Sequence, residues 1–205
     1  DCRLRLRTSA DDGRTWSEPV LCIPAPGYFV VNNDRVVQLR DGRLLVPAAY
    51  HRPRLDTEQM RYEAFDRRGI ALFFLSDDAG GTWHESEDWL ALSVRSPSGL
   101  QEPGAVELAD GSLWGWCRTA TGRQWQFASR DCGETWTAPQ PSRFRSPNSP
   151  LSIKRIPATG DLLAVWNDLT RRPATASQQR TPLAAAISRD EGRTWRHTRL
   201  LEDDP

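Results

Sequence analysis

No apolar run in these 205 residues approaches the roughly 18 that a membrane-spanning helix needs, so no membrane span is expected. Nor is there a surplus of charge. The 27 basic and 27 acidic residues cancel, which argues against nucleic acid or an anionic membrane surface as a partner. Cysteine is scarce: Cys2, Cys22, Cys117 and Cys132 form no C-x-x-C pair and stand near no histidine at zinc spacing, so neither a metal site nor a cofactor is expected. Cys2 and Cys22 lie almost symmetrically about Asp12-Gly13, where a hairpin would bring them near each other. A cross-strand disulfide and a pair of buried free thiols are both compatible with that, and free thiols are the simpler reading. The sequence also lacks an initiating methionine and a signal peptide, and a strand-like run follows Asp1 directly, so the natural chain is expected to begin earlier. The remainder, 38% hydrophobic and 26% charged, has the composition of a soluble folded protein, long enough for one all-β unit.

What the sequence does contain is a repeat. SADDGRTW (9–16), SDDAGGTW (76–83), SRDCGETW (129–136) and SRDEGRTW (188–195) share Ser, Asp, Gly, Thr and Trp at identical offsets. Their tryptophans, Trp16, Trp83, Trp136 and Trp195, stand 67, 53 and 59 residues apart, a period that suits a four-stranded propeller blade. The unit has the chemistry of a tight β-turn: Gly supplies a backbone angle other residues resist, Ser and Asp bond nearby amides, and Trp anchors the turn between sheets. These aspartates are therefore read as structural and not as catalytic carboxylates.

A second repeat precedes each complete box. RVVQLRDGRLLVPAAY (35–50), GAVELADGSLWGWCR (104–118) and SIKRIPATGDLLAVW (152–166) each read as strand, Gly-containing turn, strand. A third apolar stretch leads into the box, in GIALFFLS (69–76), RQWQFAS (123–129) and TPLAAAIS (181–188), and a short fourth strand follows the Trp. The expected architecture is all-β: three and a half blades of a propeller, with residues 1–22 ending one blade and 29–95, 100–142 and 148–203 forming full ones. A ring stopped there would expose sheet faces and edges, so these residues are expected to be part of a larger propeller domain. Trp114 and Trp116 alternate with Leu113 and Gly115 on a strand and are expected to pack between blades.

Up-and-down topology sorts the polar residues. The boxes and Gly turns share one rim; the residues that open strand 1, close strand 2 or open strand 3 converge on the other, near the axis. In the second unit these are Asn32, Asn33, Asp34 and Arg35, then Tyr50, His51 and Arg52. The third contributes Gln101, Glu102 and Arg118, and the fourth Asn148, Trp166, Asn167, Asp168 and Arg180. Such a cluster suits a polyhydroxylated ligand with an anionic group that arginines clamp.

On these residues the chain resembles the sialidase (neuraminidase) superfamily of Asp-box, or BNR-repeat, proteins, over essentially its whole length. The resemblance implies a six-bladed propeller holding sialic acid at its mouth, three arginines on the sugar carboxylate, a Tyr nucleophile paired with a Glu, and an acid/base Asp. QEPGAVELADGSLWGWCR resembles the family segment in which a Glu precedes a hairpin that ends in Arg. Glu102 thereby matches the partner of the nucleophile, and Arg118 the second arginine. RTPLAAAISRDEGRTW resembles the segment that opens with the third arginine, which Arg180 matches. The first arginine and the acid/base Asp belong ahead of the first box and the Tyr beyond the last; the 205 residues hold none of the three at those places, and as a fragment they are expected to be inactive alone.

Asp34 offers itself as a substitute acid, or as a group orienting Arg35 or a sugar hydroxyl, and Arg35, His51 and Asn167 as further substrate contacts. The expected function is an exo-sialidase-like glycoside hydrolase acting on terminal sialic acids of glycans. The alternatives are a non-catalytic glycan-binding propeller, since Asp boxes occur on many propellers, and a glycosidase for another sugar, to which His51 and the Asn33-Asp34-Arg35 cluster would point. By analogy with relatives acting on external glycans, the protein is expected to be periplasmic or secreted.

Overall fold

The computed structural model describes residues 1–56, 61–170 and 180–203, with backbone alone over 54–56 and 61–65. The described residues form strands joined by turns and contain no helix. In chain order the strands are β1 (Arg5–Leu6), β2 (Val20–Leu21), β3 (Tyr28–Val30), β4 (Val37–Gln38), β5 (Leu44–Asp56), β6 (Arg61–Ser76), β7 (His84–Glu85) and β8 (Gln101–Glu107). They continue with β9 (Leu113–Arg118), β10 (Arg123–Ser129), β11 (Gln140–Arg145), β12 (Ser152–Arg155), β13 (Leu162–Asn167), β14 (Leu183–Ser188) and β15 (Arg196–Glu202). Four antiparallel sheets result: β1-β2; β3-β5-β6-β7 with β4 also on β5; β8-β9-β10-β11; and β12-β13-β14-β15. These are the antiparallel blades of a partial propeller, as the repeats imply.

Each Asp box builds the same turn. The hydroxyls of Ser9, Ser76, Ser129 and Ser188 donate to Asp11, Asp78, Asp131 and Asp190 and accept from the amides of Gly13, Gly80, Gly133 and Gly192. The residue before each Gly, namely Asp12, Ala79, Cys132 or Glu191, also has positive φ (55, 58, 56 and 56°). Two consecutive left-handed residues match the right-handed twist of the flanking strands, and the Gly makes the pair affordable.

Three cores lie between the four sheets. On β6, Leu72 and Phe74 face the first sheet with Val46, Ala48, Phe29 and Ile23, whereas Ala71, Phe73 and Leu75 face the third with Leu45, Leu113, Phe127 and Trp136. Both faces are therefore covered, which is why GIALFFLS is apolar throughout instead of alternating. The third core holds Trp116, Phe144, Leu151, Ile153, Leu162 and Trp166 between the third and fourth sheets. Trp116 is buried there and Trp114 packs against that core, so both serve blade packing as expected. Gly115 lies opposite Phe127 across β9-β10, and a Cβ there would come 2.1 Å from the Phe127 ring. The Gly thus makes room for the aromatic.

The structure corrects three local expectations. The first strand of the second sheet does not begin at Arg35: it starts at Tyr28 and is split, Val30 lying opposite Ala49 and Val37 opposite Leu45, so 31–36 loops out against only 46–48. The strand expected to close at Tyr50 runs on to Asp56, paired with β6 in a long arm. The cysteines are all free thiols, in line with the simpler reading, and the correction concerns the burial of Cys2 alone. Arg5 pairs with Leu21 and Leu6 with Val20, which sets Cys22 beside Leu4 while Cys2 bridges to Tyr28; Cys22 is buried, as expected, but Cys2 is exposed.

Candidate functional site

Register divides the two rims. Glu107 opposite Leu113, Arg155 opposite Leu162 and Leu44 opposite Ser76 mark the rim of the boxes, while Gln101 opposite Arg118 and Asn167 opposite Leu183 mark the other. On this second rim β8 opens with a bulge between Gln101 and Gly104, and Glu102 within it has φ of +47°. A non-Gly residue in the left-handed region, directly ahead of Pro103, carries strain of about 1–3 kcal/mol. The bulge lets the Glu102 carboxylate meet the guanidinium at the end of β9: Arg118 Nη2 lies 3.3 Å from Glu102 Oε1, both side chains being mostly buried. Glu102 Oε2 accepts from Asn32 Nδ2 at 3.3 Å.

Gln101 completes the grip on Arg118. Its Oε1 accepts from Arg118 Nε (3.2 Å) and Asn148 Nδ2 (3.4 Å), and its Nε2 donates to Arg67 O (2.6 Å), joining the site to the β5-β6 arm. Burial pushes the Arg118 pKa down, Glu102 pulls it back up, and the like charge of Arg180 depresses it further. Two guanidiniums within one another's field, one of them exposed, form a place for an anion. Arg180 sits at the mouth with Nη2 3.4 Å from Asn148 O, and its carbonyl accepts from Asn167 Nδ2.

Glu102, Arg118 and Arg180 thus gather as the sequence suggests; the other four candidates take different places. Arg35 is only 4% exposed, too deep to meet a ligand at the mouth: its guanidinium lies over Trp116, 5.7 Å from the ring centroid, and donates to Leu151 O at 2.9 Å. His51 is buried in the middle of β5 with Nδ1 2.8 Å from Asp66 O, because the strand runs past it into the arm. Asn167 is buried, its amide spent on the Arg180 backbone, so it positions that arginine instead of reaching a substrate. Asp34 is exposed, but it pairs with Lys154 of β12 at 3.0 Å and not with Arg35.

The looped-out 31–36 segment explains these placements. From the second sheet it reaches Glu102 of the third through Asn32, and Leu151 and Lys154 of the fourth through Arg35 and Asp34. It therefore fills the space where the first strands converge. Nothing local in the sequence marks Lys154 as part of this layer: it alternates with buried Ile153 along β12, but its partner lies 120 residues earlier. Among the described residues, no group of three or more His, Cys, Asp or Glu is placed to hold a metal ion.

The profile of the BNR repeat-like domain family matches residues 1–205. A sialidase of Bacteroides fragilis (strain YCH46) is 26% identical over 210 residues, covering 98% of this chain and 35% of that protein. A crystal structure of a protein of unknown function from Dyadobacter fermentans superposes with a TM-score of 0.69 at 20% identity, over 98% of this chain and 52% of that one. The NanB sialidase from Streptococcus pneumoniae gives 0.66 at 19% identity, over 97% and 28% respectively. The chain spans about a third of the Bacteroides relative and about half or less of these two structures.

Proposed function

The chain belongs to the BNR repeat-like domain family, and from that premise we propose that its mouth is part of a glycoside hydrolase site for terminal sialic acids. The observation that carries this reading is the Glu102–Arg118 ion pair standing beside Arg180 on one rim. Arg118 and Arg180 hold the sugar's carboxylate, whose charge relieves their mutual repulsion and gains charge-assisted hydrogen bonds. Glu102 takes the proton from a nucleophilic phenol of the kind sialidases use in place of a carboxylate. Its bulged backbone sets the carboxylate before substrate arrives, so little reorganisation is left for the reacting state. Export to the periplasm or beyond fits a glycan substrate and is part of the same proposal.

The test is turnover of an aryl sialoside by the full-length protein. Glu102→Gln is expected to lower kcat by about 10²- to 10⁴-fold, the usual worth of proton transfer by a placed side chain. Arg118→Ala is expected to raise KM as well as lower kcat, because it removes a contact to the bound carboxylate. A correctly folded full-length protein that does not turn over the sialoside overturns the reading. One observation supports a second: both Glu102 oxygens are already engaged, by Arg118 and Asn32, and Asp34 is spent on Lys154, as in a propeller that binds glycans without cleaving them. Saturable binding of free sialic acid with no turnover would select that alternative, and turnover of other aryl glycosides alone would select another sugar.

A further inference from the structure

The repeat accounts for the box tryptophans. Trp16, Trp83 and Trp136 each donate the indole N–H to the glycine carbonyl of their own box, at 3.1, 3.0 and 3.0 Å, and Trp195 packs against Trp114 and Phe144 without that bond. Trp89 belongs to no box and is 58% exposed. Its backbone is nonetheless fixed on both sides. Asp88 accepts from Trp136 N through Oδ2 and donates its own N–H to Glu134 O, while Leu90 exchanges two backbone hydrogen bonds with Ala71 of β6. Leu90 is buried in the core, and Trp89 beside it is turned away from that core toward solvent.

After Leu90 the chain leaves β6 and returns to it only two residues away. Gly99 bridges to Gly69, with Gly69 N donating to Ser98 O and Leu100 N to Gly69 O. The approach requires glycine on both sides: a Cβ on Gly99 would stand 2.4 Å from Gly69 O, one on Gly69 would stand 2.4 Å from Leu100 O, and Gly99 has φ of +59°. Residues 91–98 therefore form a loop whose ends meet on one strand, the compact kind that frequently carries function. Buried Ser96 braces it from within, its hydroxyl accepting from Ser98 N at 3.2 Å.

Between this loop and the second sheet lies a cleft of about 410 Å³, walled by Trp89, Val94 and Ile70 and rimmed by Arg52, Arg68 and Arg95. None of Glu102, Arg118 and Arg180 lines it. Asp66 is the one carboxylate of the lining, and Arg68 takes both of its oxygens, with Nε 3.2 Å from Oδ1 and Nη2 2.8 Å from Oδ2. Arg52 and Arg95 are exposed and make no hydrogen bond or ion pair among the described residues. Three guanidiniums against one carboxylate leave an excess of positive charge in a chain whose charges cancel overall. Both free guanidiniums are open to a ligand. A ligand that fits carries an apolar face for the indole and an anion for the guanidiniums, within a volume at the lower end of the usual range for small-molecule sites.

We propose that this cleft is a binding site, separate from the mouth, for an acidic sugar residue of a glycan. The sugar ring lies on the Trp89 indole and Val94, and its carboxylate is held by the free guanidiniums of Arg52 and Arg95. The proposal stands whether or not the mouth hydrolyses sialosides.

Calorimetric titration of the full-length protein with sodium glucuronate, glucose, acetate and triglutamate tests it, in an Arg118→Ala background that removes the mouth as a competing carboxylate site. Arg180→Ala, at an exposed side chain, takes the place of that background if Arg118→Ala melts early. Saturable glucuronate binding is expected, weakened about tenfold by Trp89→Ala, by Arg52→Gln and by Arg95→Gln, with glucose and acetate each about tenfold weaker than glucuronate. The three side chains are exposed, so these variants are expected to melt like their parent. Four results overturn the proposal. They are no saturable glucuronate binding by protein that melts like its parent, affinity unchanged by Trp89→Ala or by both Arg substitutions, glucose or acetate equal to glucuronate, and triglutamate binding more tightly than glucuronate, which would assign the cleft to a protein partner.

Discussion

Glu102 and the box aspartates are carboxylates of opposite design. Glu102 is brought to its arginine by a strained backbone, in a bulge that no turn motif announces. The box aspartates are instead held by the hydrogen bonds of their own turn, from the Ser hydroxyl and the Thr N–H and hydroxyl of the box. Asp11 and Asp78 are held from 3.8 down to about 2 chiefly by the N–H and hydroxyl of Thr15 and Thr82, and Asp190 likewise with the Thr194 hydroxyl leading. A carboxylate whose folded pKa lies below its unfolded one stabilises the fold fully above the unfolded value and loses that contribution as pH falls through the folded one. Tryptophan fluorescence followed during acid titration should therefore report stability falling from about pH 4 toward pH 2. Asp78→Asn keeps an acceptor for Thr82 N but loses the charge and the second oxygen, so it should be less stable than its parent at pH 7. That gap should narrow as pH falls toward 2, where the parent carboxylate begins to take up its proton; a gap independent of pH would refute the assignment.

At the scale of the strand and turn, one motif has different energetic weight in different blades. Trp136 is buried, stacked 4.2 Å from Phe73 and edge-on to Phe127 at 5.3 Å, so Trp136→Ala is expected to cost about 3–5 kcal/mol. Trp16 makes the same hydrogen bond within its box but is 56% exposed, and Trp16→Ala should cost less than about 1 kcal/mol in the same chemical denaturation measurement. Similar costs for the two would mean that the turn, not the packing between sheets, sets the value of the Trp. The repeats told where strands, boxes and Gly turns fall, because each is a local pattern of a few residues. The split of the first strand in the second sheet was hidden. RVVQLR reads as a strand start on its own, and only the partners of Asn32, Asp34 and Arg35 on two other sheets show why the chain loops out before it.

Over the whole molecule, each buried sheet face has a neighbouring sheet, and two surfaces do not. Trp16 stands exposed on the first sheet, and on the fourth Leu163, Val165, Ala185 and Ile187 are only half-buried while Leu201 is 56% exposed. Apolar sheet faces of this kind drive association, so a chain trimmed to residues 1–205 is expected to elute from a sizing column as oligomers at micromolar concentration. A stable, dilution-resistant monomer would contradict that. The amino-acid sequence by itself determined the all-β repeat, the rim on which the boxes lie, and the convergence of Glu102, Arg118 and Arg180 on the other. Period and strand direction are enough to place residues at one end of a sheet or the other. Only the tertiary structure decided which polar residues remain free to act. Partners on another blade buried Arg35 and tied Asp34 to Lys154, partners within their own sheets took up His51 and Asn167, and the Trp195 indole was left without the bond its counterparts make. Those outcomes depend on burial and on contacts between residues from 13 to 120 positions apart, which no local pattern encodes.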